Sequence, residues 1–120
     1  MAVSPRLGFK KQAARRSALL LACLLMATGT TSYAAPKTAV HTIVIEAMQY
    51  SPASLDVKPG DTVIWNNKDA FPHTATANQG GFDSGTIQSG GSWKFIAKKR
   101  GTFPYFCTLH PTMKAQLVVK

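Results

Sequence analysis

A chain of 120 residues with a 45% hydrophobic fraction has room for one small domain and none for a multidomain enzyme. Its formal charge of +9 comes from 14 basic residues against five acids, but the lysines are spread along the sequence. The one short run, Lys98-Lys99-Arg100, abuts Gly101 and reads as a solvated turn, so no nucleic-acid partner is expected.

The first segment in chain order belongs to no domain. Residues 6–16 carry Arg6, Lys10, Lys11, Arg15 and Arg16 and no acid, and residues 18–27 are uniformly apolar or small. Ser32-Tyr33-Ala34 then offers small side chains at a cleavage point. This order predicts a secretory signal peptide over residues 1–34 and a periplasmic destination. The apolar run is about half the ~20 residues a spanning helix needs, so stable membrane insertion is not expected. Arg15-Arg16 leaves the general secretory and twin-arginine routes both open. Leu20-Leu21-Ala22-Cys23 resembles a lipoprotein box, but the apolar run continues past the cysteine, which makes lipidation the weaker reading. Cleavage removes five positive charges and Cys23, leaving 86 residues with a formal charge of +4 and one cysteine, Cys107. A lone thiol in an oxidising compartment cannot form an internal disulfide, so it must be buried or occupied.

After a short extension over residues 35–39, the domain is predicted over 40–120. His41–Glu46 is rich in β-branched residues, and Ser54–Val57 alternates with period two. Lys58-Pro59-Gly60-Asp61 is a turn, with proline presetting φ at the second position and glycine supplying positive φ at the third. Strands are predicted at Thr62–Asn66, Thr74–Ala77, Ser92–Ile96, Thr102–Phe106 and Ala115–Val119, and Gly80-Gly81 and Gly90-Gly91 mark loops. No window shows a helical period. Short strands separated by turn signals predict an all-β sandwich.

The chemistry sits in Cys107-x-x-His110-x-x-Met113, just after a predicted strand. A thiolate, an imidazole and a thioether in one tight loop form a soft set suited to copper in both oxidation states. Zinc would leave the methionine idle. A trigonal site needs a second imidazole, and the candidates are His41 and His73. His73, in the loop Phe71-Pro72-His73-Thr74, is the better one, because a turn can bring it to the Cys107 end. The predicted metal residues are therefore His73, Cys107, His110 and Met113, and occupation by copper resolves the free-thiol problem.

The stretches Glu46–Pro52, Val57–Asn67, Phe71–Thr74 and Gly101–Cys107 resemble the cupredoxins, the blue copper proteins that include plastocyanin, pseudoazurin and amicyanin. The likeness covers essentially all of 40–120. The two-residue spacings in the ligand loop are most similar to the amicyanin type. The resemblance implies a Greek-key β-sandwich holding one type 1 copper. His73, Cys107 and His110 would form its trigonal plane, with Met113 the weak axial ligand. It also implies a non-enzymatic, monomeric carrier of single electrons between redox proteins such as a dehydrogenase, a cytochrome or an oxidase. These would dock near His110, within an apolar collar of Met48, Phe71, Pro72, Leu109 and Pro111. Thr74 stands where several members have an asparagine that ties the ligand loops. Pro111 offers no N–H to the Cys107 sulfur, a feature expected to lower the potential. Copper oxidases and nitrite reductases need more histidines than this chain has. A delivery or storage protein is the main alternative, though such proteins are often Met-rich, and from Ala35 onward only Met48 and Met113 remain.

Overall fold

The structure, a computed structural model, describes residues 29–120; most of the predicted signal peptide lies outside the described residues. The unit Ala34–Lys120 contains eight strands: β1 (Val40–Glu46), β2 (Gln49–Ser51), β3 (Ser54–Val57), β4 (Thr62–Asn67), β5 (Thr76–Ala77), β6 (Ser92–Ile96), β7 (Gly101–Phe106) and β8 (Lys114–Val119). They form two four-stranded sheets, ordered β2-β1-β4-β6 and β3-β8-β7-β5. Two pairings are parallel, β1 with β4 and β3 with β8, so the chain crosses repeatedly between the sheets. The predicted all-β sandwich is thus observed.

Alternation dictates which side chains meet between the sheets. In β4, Val63, Trp65 and Asn67 point inward, and in β1 Ile43 and Ile45 do so. Tyr105 and Leu117 reach them from the other sheet. Tyr105 packs edge-on against Trp65 at 5.6 Å and against Tyr50 at 4.8 Å between ring centroids. Pro104 is tolerated inside β7 because its carbonyl accepts from Asn78 N at 2.9 Å on the β5 side. Its missing N–H faces that same side, beyond the end of β5, and takes no bond from the β8 ladder.

The 58–61 turn forms as predicted. Gly60 has φ +96°, and Asp61 N donates to Lys58 O at 3.0 Å. Two details depart from expectation. The strand foreseen at Thr74–Ala77 is reduced to Thr76–Ala77, because the Thr74 amide donates to Cys107 Sγ instead of joining a ladder. The strand β2 was not foreseen. It follows a two-residue hairpin in which Ala47 (φ 51°) and Met48 (φ 61°) both take positive φ, without the Asn-Gly or Asp-Gly signature such turns usually carry.

Candidate metal centre

Three segments converge at one pole of the sandwich, where β1, β4 and β7 end and β8 begins. The loop after β4 is anchored by Asn67, which is fully buried. Its amide nitrogen donates to Phe71 O at 2.8 Å and Ile87 O at 3.0 Å, and its oxygen accepts from Asp69 N at 3.0 Å. His73 is then fixed by paired backbone bonds with Ile87, at 3.1 and 2.7 Å. The second loop closes on itself: Cys107 N donates to Met113 O at 3.1 Å, and Met113 N donates to His110 O at 2.9 Å.

These constraints bring His73, Cys107 and His110 together with both histidine Nδ1 atoms inward. The two Nδ1 atoms are 3.2 Å apart, and each is 3.7 Å from Cys107 Sγ. A first-row metal with bonds of ~2.0 Å to nitrogen and ~2.3 Å to sulfur, placed in their plane, would separate such atoms by ~3.5 and ~3.7 Å. The donor set therefore fits one metal ion of that size, and its softness selects copper. His73 and Cys107 are fully buried, His110 is partly exposed, and Met113 is buried at the end of the same loop. His41, the other candidate imidazole, lies at the far pole, where its Nε2 bonds Asp61 Oδ2 at 3.0 Å.

A neighbouring carboxylate orients the first of these donors. His73 Nε2 lies 2.8 Å from Asp69 Oδ2. The Met48 amide is the main influence holding the Asp69 carboxyl below the usual carboxylate range, opposed by partial burial and helped by the His73 ring and the Ala47 amide. An ionised Asp69 can only accept, so Nε2 carries the hydrogen and Nδ1 presents its lone pair to the site. Asp69 also accepts from Ala47 N at 2.7 Å and Met48 N at 3.0 Å, which stabilises the left-handed hairpin. One carboxylate thus orients a ligand and supports an adjacent turn. Nothing in the sequence distinguished it from the other four acids.

Thr74 joins the two ligand loops. Its amide donates to Cys107 Sγ at 3.3 Å, and its hydroxyl accepts from Thr108 N at 2.9 Å. The threonine does what the family's asparagine was expected to do. Tyr50, deeply buried, donates its hydroxyl to Thr74 O. Burial and the nearby Cys107 push its ionisation well above the ordinary tyrosine range, so it stays a neutral donor. Of the collar residues, Met48, Phe71, Leu109 and Pro111 are exposed and Pro72 is half-buried.

The cupredoxin-like domain family matches residues 17–119. The chain is a cupredoxin. It is 30% identical to amicyanin of Paracoccus denitrificans over 121 residues, covering 84% of this chain and 92% of that protein. Amicyanin-alpha of Methylorubrum extorquens is 28% identical over 83 residues, covering 65% of this chain and 70% of that protein. Among solved structures, a variant of amicyanin in its Cu(I) form superposes with a TM-score of 0.63 at 29% identity, over 68% of this chain and 82% of that one. A purple cupredoxin from Nitrosopumilus maritimus gives 0.61 at 26% identity, over 67% and 99%. The amicyanin-type reading of the ligand-loop spacing is borne out. As a cupredoxin with this donor set, the chain is a blue copper electron-transfer protein with one type 1 copper, and it is not an enzyme. Among the described residues no helix is long and apolar enough to cross a membrane.

Proposed function

We propose that this cupredoxin is an exported carrier that shuttles single electrons between redox proteins, with His73, Cys107 and His110 as its equatorial ligands and Met113 as a weak axial one. The observation that carries this reading is the convergence of two Nδ1 atoms and one Sγ, with the far nitrogen of His73 already committed to Asp69. Bound copper supplies a centre that accepts and returns one electron. The chain's own residues keep the site from rearranging between states. His73 is locked through Ile87 and Asp69, Cys107 through Thr74 and Met113, and the two loops to each other through Thr74 and Thr108.

His110 is the one partly exposed member of the cluster, so electrons would pass through its ring edge. Met48, Phe71 and Leu109 form the exposed apolar surface on which a dehydrogenase, cytochrome or oxidase would dock around it. Full burial of His73 and Cys107 argues against the rapidly exchanging site of a delivery protein. The chain acts in the periplasm as a monomer after its leader is removed.

The test is spectroscopic. Cu(II) added to the purified protein is expected to give an intense blue thiolate band, bleached reversibly by one electron per chain. Cys107→Ala abolishes the band, His73→Ala abolishes or grossly shifts it, and Met113→Leu keeps the colour but moves the potential. A colourless protein that passes Cu(I) readily to a chelator would establish the delivery reading instead.

A further inference from the structure

The strand registers divide the molecule into two poles. The one opposite the metal centre comprises the start of β1, the end of β3, the start of β4, the β6–β7 turn and the end of β8. Lys37, Lys58, Lys98, Lys99, Arg100 and Lys120 all lie there, six of the nine basic residues from Ala35 onward. Only two acids accompany them, and both are engaged. Asp61 accepts from Ala39 N at 2.8 Å, Lys58 N at 2.9 Å and the His41 ring, and Asp56 takes Lys120 Nζ at 2.6 Å. From Ala35 onward the formal side-chain charge is +4 at this pole and zero over the rest, where Lys68, Lys94 and Lys114 balance Glu46, Asp69 and Asp83.

The turns that carry Lys58 and Lys98 are fastened to each other. Gly60 N donates to Ala97 O at 2.6 Å, and Ala97 N donates to Asp61 O at 2.9 Å, which locks the two turns together. Beside Lys98 and Lys99 lies apolar surface. Ile96 is 46% exposed, and beside it Phe95, Phe103, Lys98 and Lys99 line a cavity of about 240 Å³. A net-cationic surface that carries an exposed aliphatic side chain, Ile96, beside Lys98 and Lys99 suits a sheet of anionic headgroups over acyl chains. A folded acidic partner would match the charges but offer no acyl layer to the exposed Ile96.

We propose that this basic pole docks the protein on an anionic phospholipid surface and turns the metal centre away from it. This is peripheral adsorption without insertion, and it holds whether or not copper is bound. The test uses the exported form, residues 35–120, with vesicles of phosphatidylglycerol and phosphatidylcholine, against pure phosphatidylcholine, at low salt. Cosedimentation is expected with the anionic vesicles alone and is lost on the order of 0.5 M salt. The triple variant Lys98→Glu, Lys99→Glu, Arg100→Glu should bind at least about tenfold more weakly, and Lys94→Glu much less so. Lysine acetylation mapped by mass spectrometry locates the face. Lys58, Lys98 and Lys99 should be protected on vesicles, while Lys68 and Lys114 stay reactive. No binding, binding unchanged in the triple variant, or continued labelling of Lys98 and Lys99 overturns the proposal. So does a preference for polyglutamate over the vesicles, which would assign this pole to an acidic protein.

Discussion

Thr74 contributes an amide to one ligand and a hydroxyl to the loop that carries the others. Thr74→Ala keeps the first contact and removes the second, leaving Thr108 N without its partner. A loss of about 1 kcal/mol in unfolding free energy is expected, read by denaturant titration of the metal-free protein. Asp69 makes the sharper case, because one carboxylate fixes the His73 tautomer and holds two strained residues. Asp69→Ala should weaken copper binding by roughly 10- to 100-fold, measured by competition with a chelator. At Pro111 the expected effect concerns potential. Thr74 N is the amide donor found on Cys107 Sγ. Pro111→Ala restores an N–H to this part of the loop, and a rise in reduction potential by voltammetry is the predicted result. An unchanged or lower potential would count against the reasoning.

At the level of elements, the β1–β2 hairpin and the 58–61 turn show how far local sequence reaches. The second was readable because Pro59 and Gly60 declare their torsions. The first was not, because Ala47 and Met48 adopt left-handed torsions only with Asp69, 21 or more positions along the chain, accepting from both amides. Ala47→Gly should therefore stabilise the protein by about 1 kcal/mol, since glycine removes the left-handed penalty. At the opposite turn, Asp61 fastens Ala39, Lys58 and His41 to one carboxylate. The Ala39 and Lys58 amides, with the His41 ring, lower its pKa to about 2. A lowered folded-state pKa means that the stabilisation is complete above the unfolded value of about 4 and disappears as the pH falls through about 2. The stability gap between the parent and Asp61→Asn should accordingly close on acidification across that window, as followed by thermal melts.

For the whole molecule, the two-sheet architecture and the clustering of His73 with Cys107 and His110 were legible from alternation, one seven-residue motif and the choice between two histidines. What was hidden depends on pairings across the fold: the Asp69 orienter, the short β5, and the gathering at one pole of cations that are dispersed in sequence. Metal should be strongly linked to stability, because the site ties loops from both sheets. Copper at 100 times its dissociation constant adds about 2.7 kcal/mol, and each kcal/mol raises the melting temperature of a domain this size by about 4–8 °C. A melt with and without Cu(II), repeated on Cys107→Ala, checks this; the variant should show little of the gain. The parallel pairing of β3 with β8 has a further consequence, in time. Ser54 meets Gln116, so β3 joins its sheet only when two segments far apart in the chain have met. Long loops must close before these contacts form, which slows folding. His73 and Cys107, 34 positions apart, meet only through such a closure, so high-affinity copper binding is expected to follow the docking of the two loops. The rate of blue colour developing during refolding should therefore track the docking of the His73 loop on the β7–β8 loop, whatever the copper concentration above saturation.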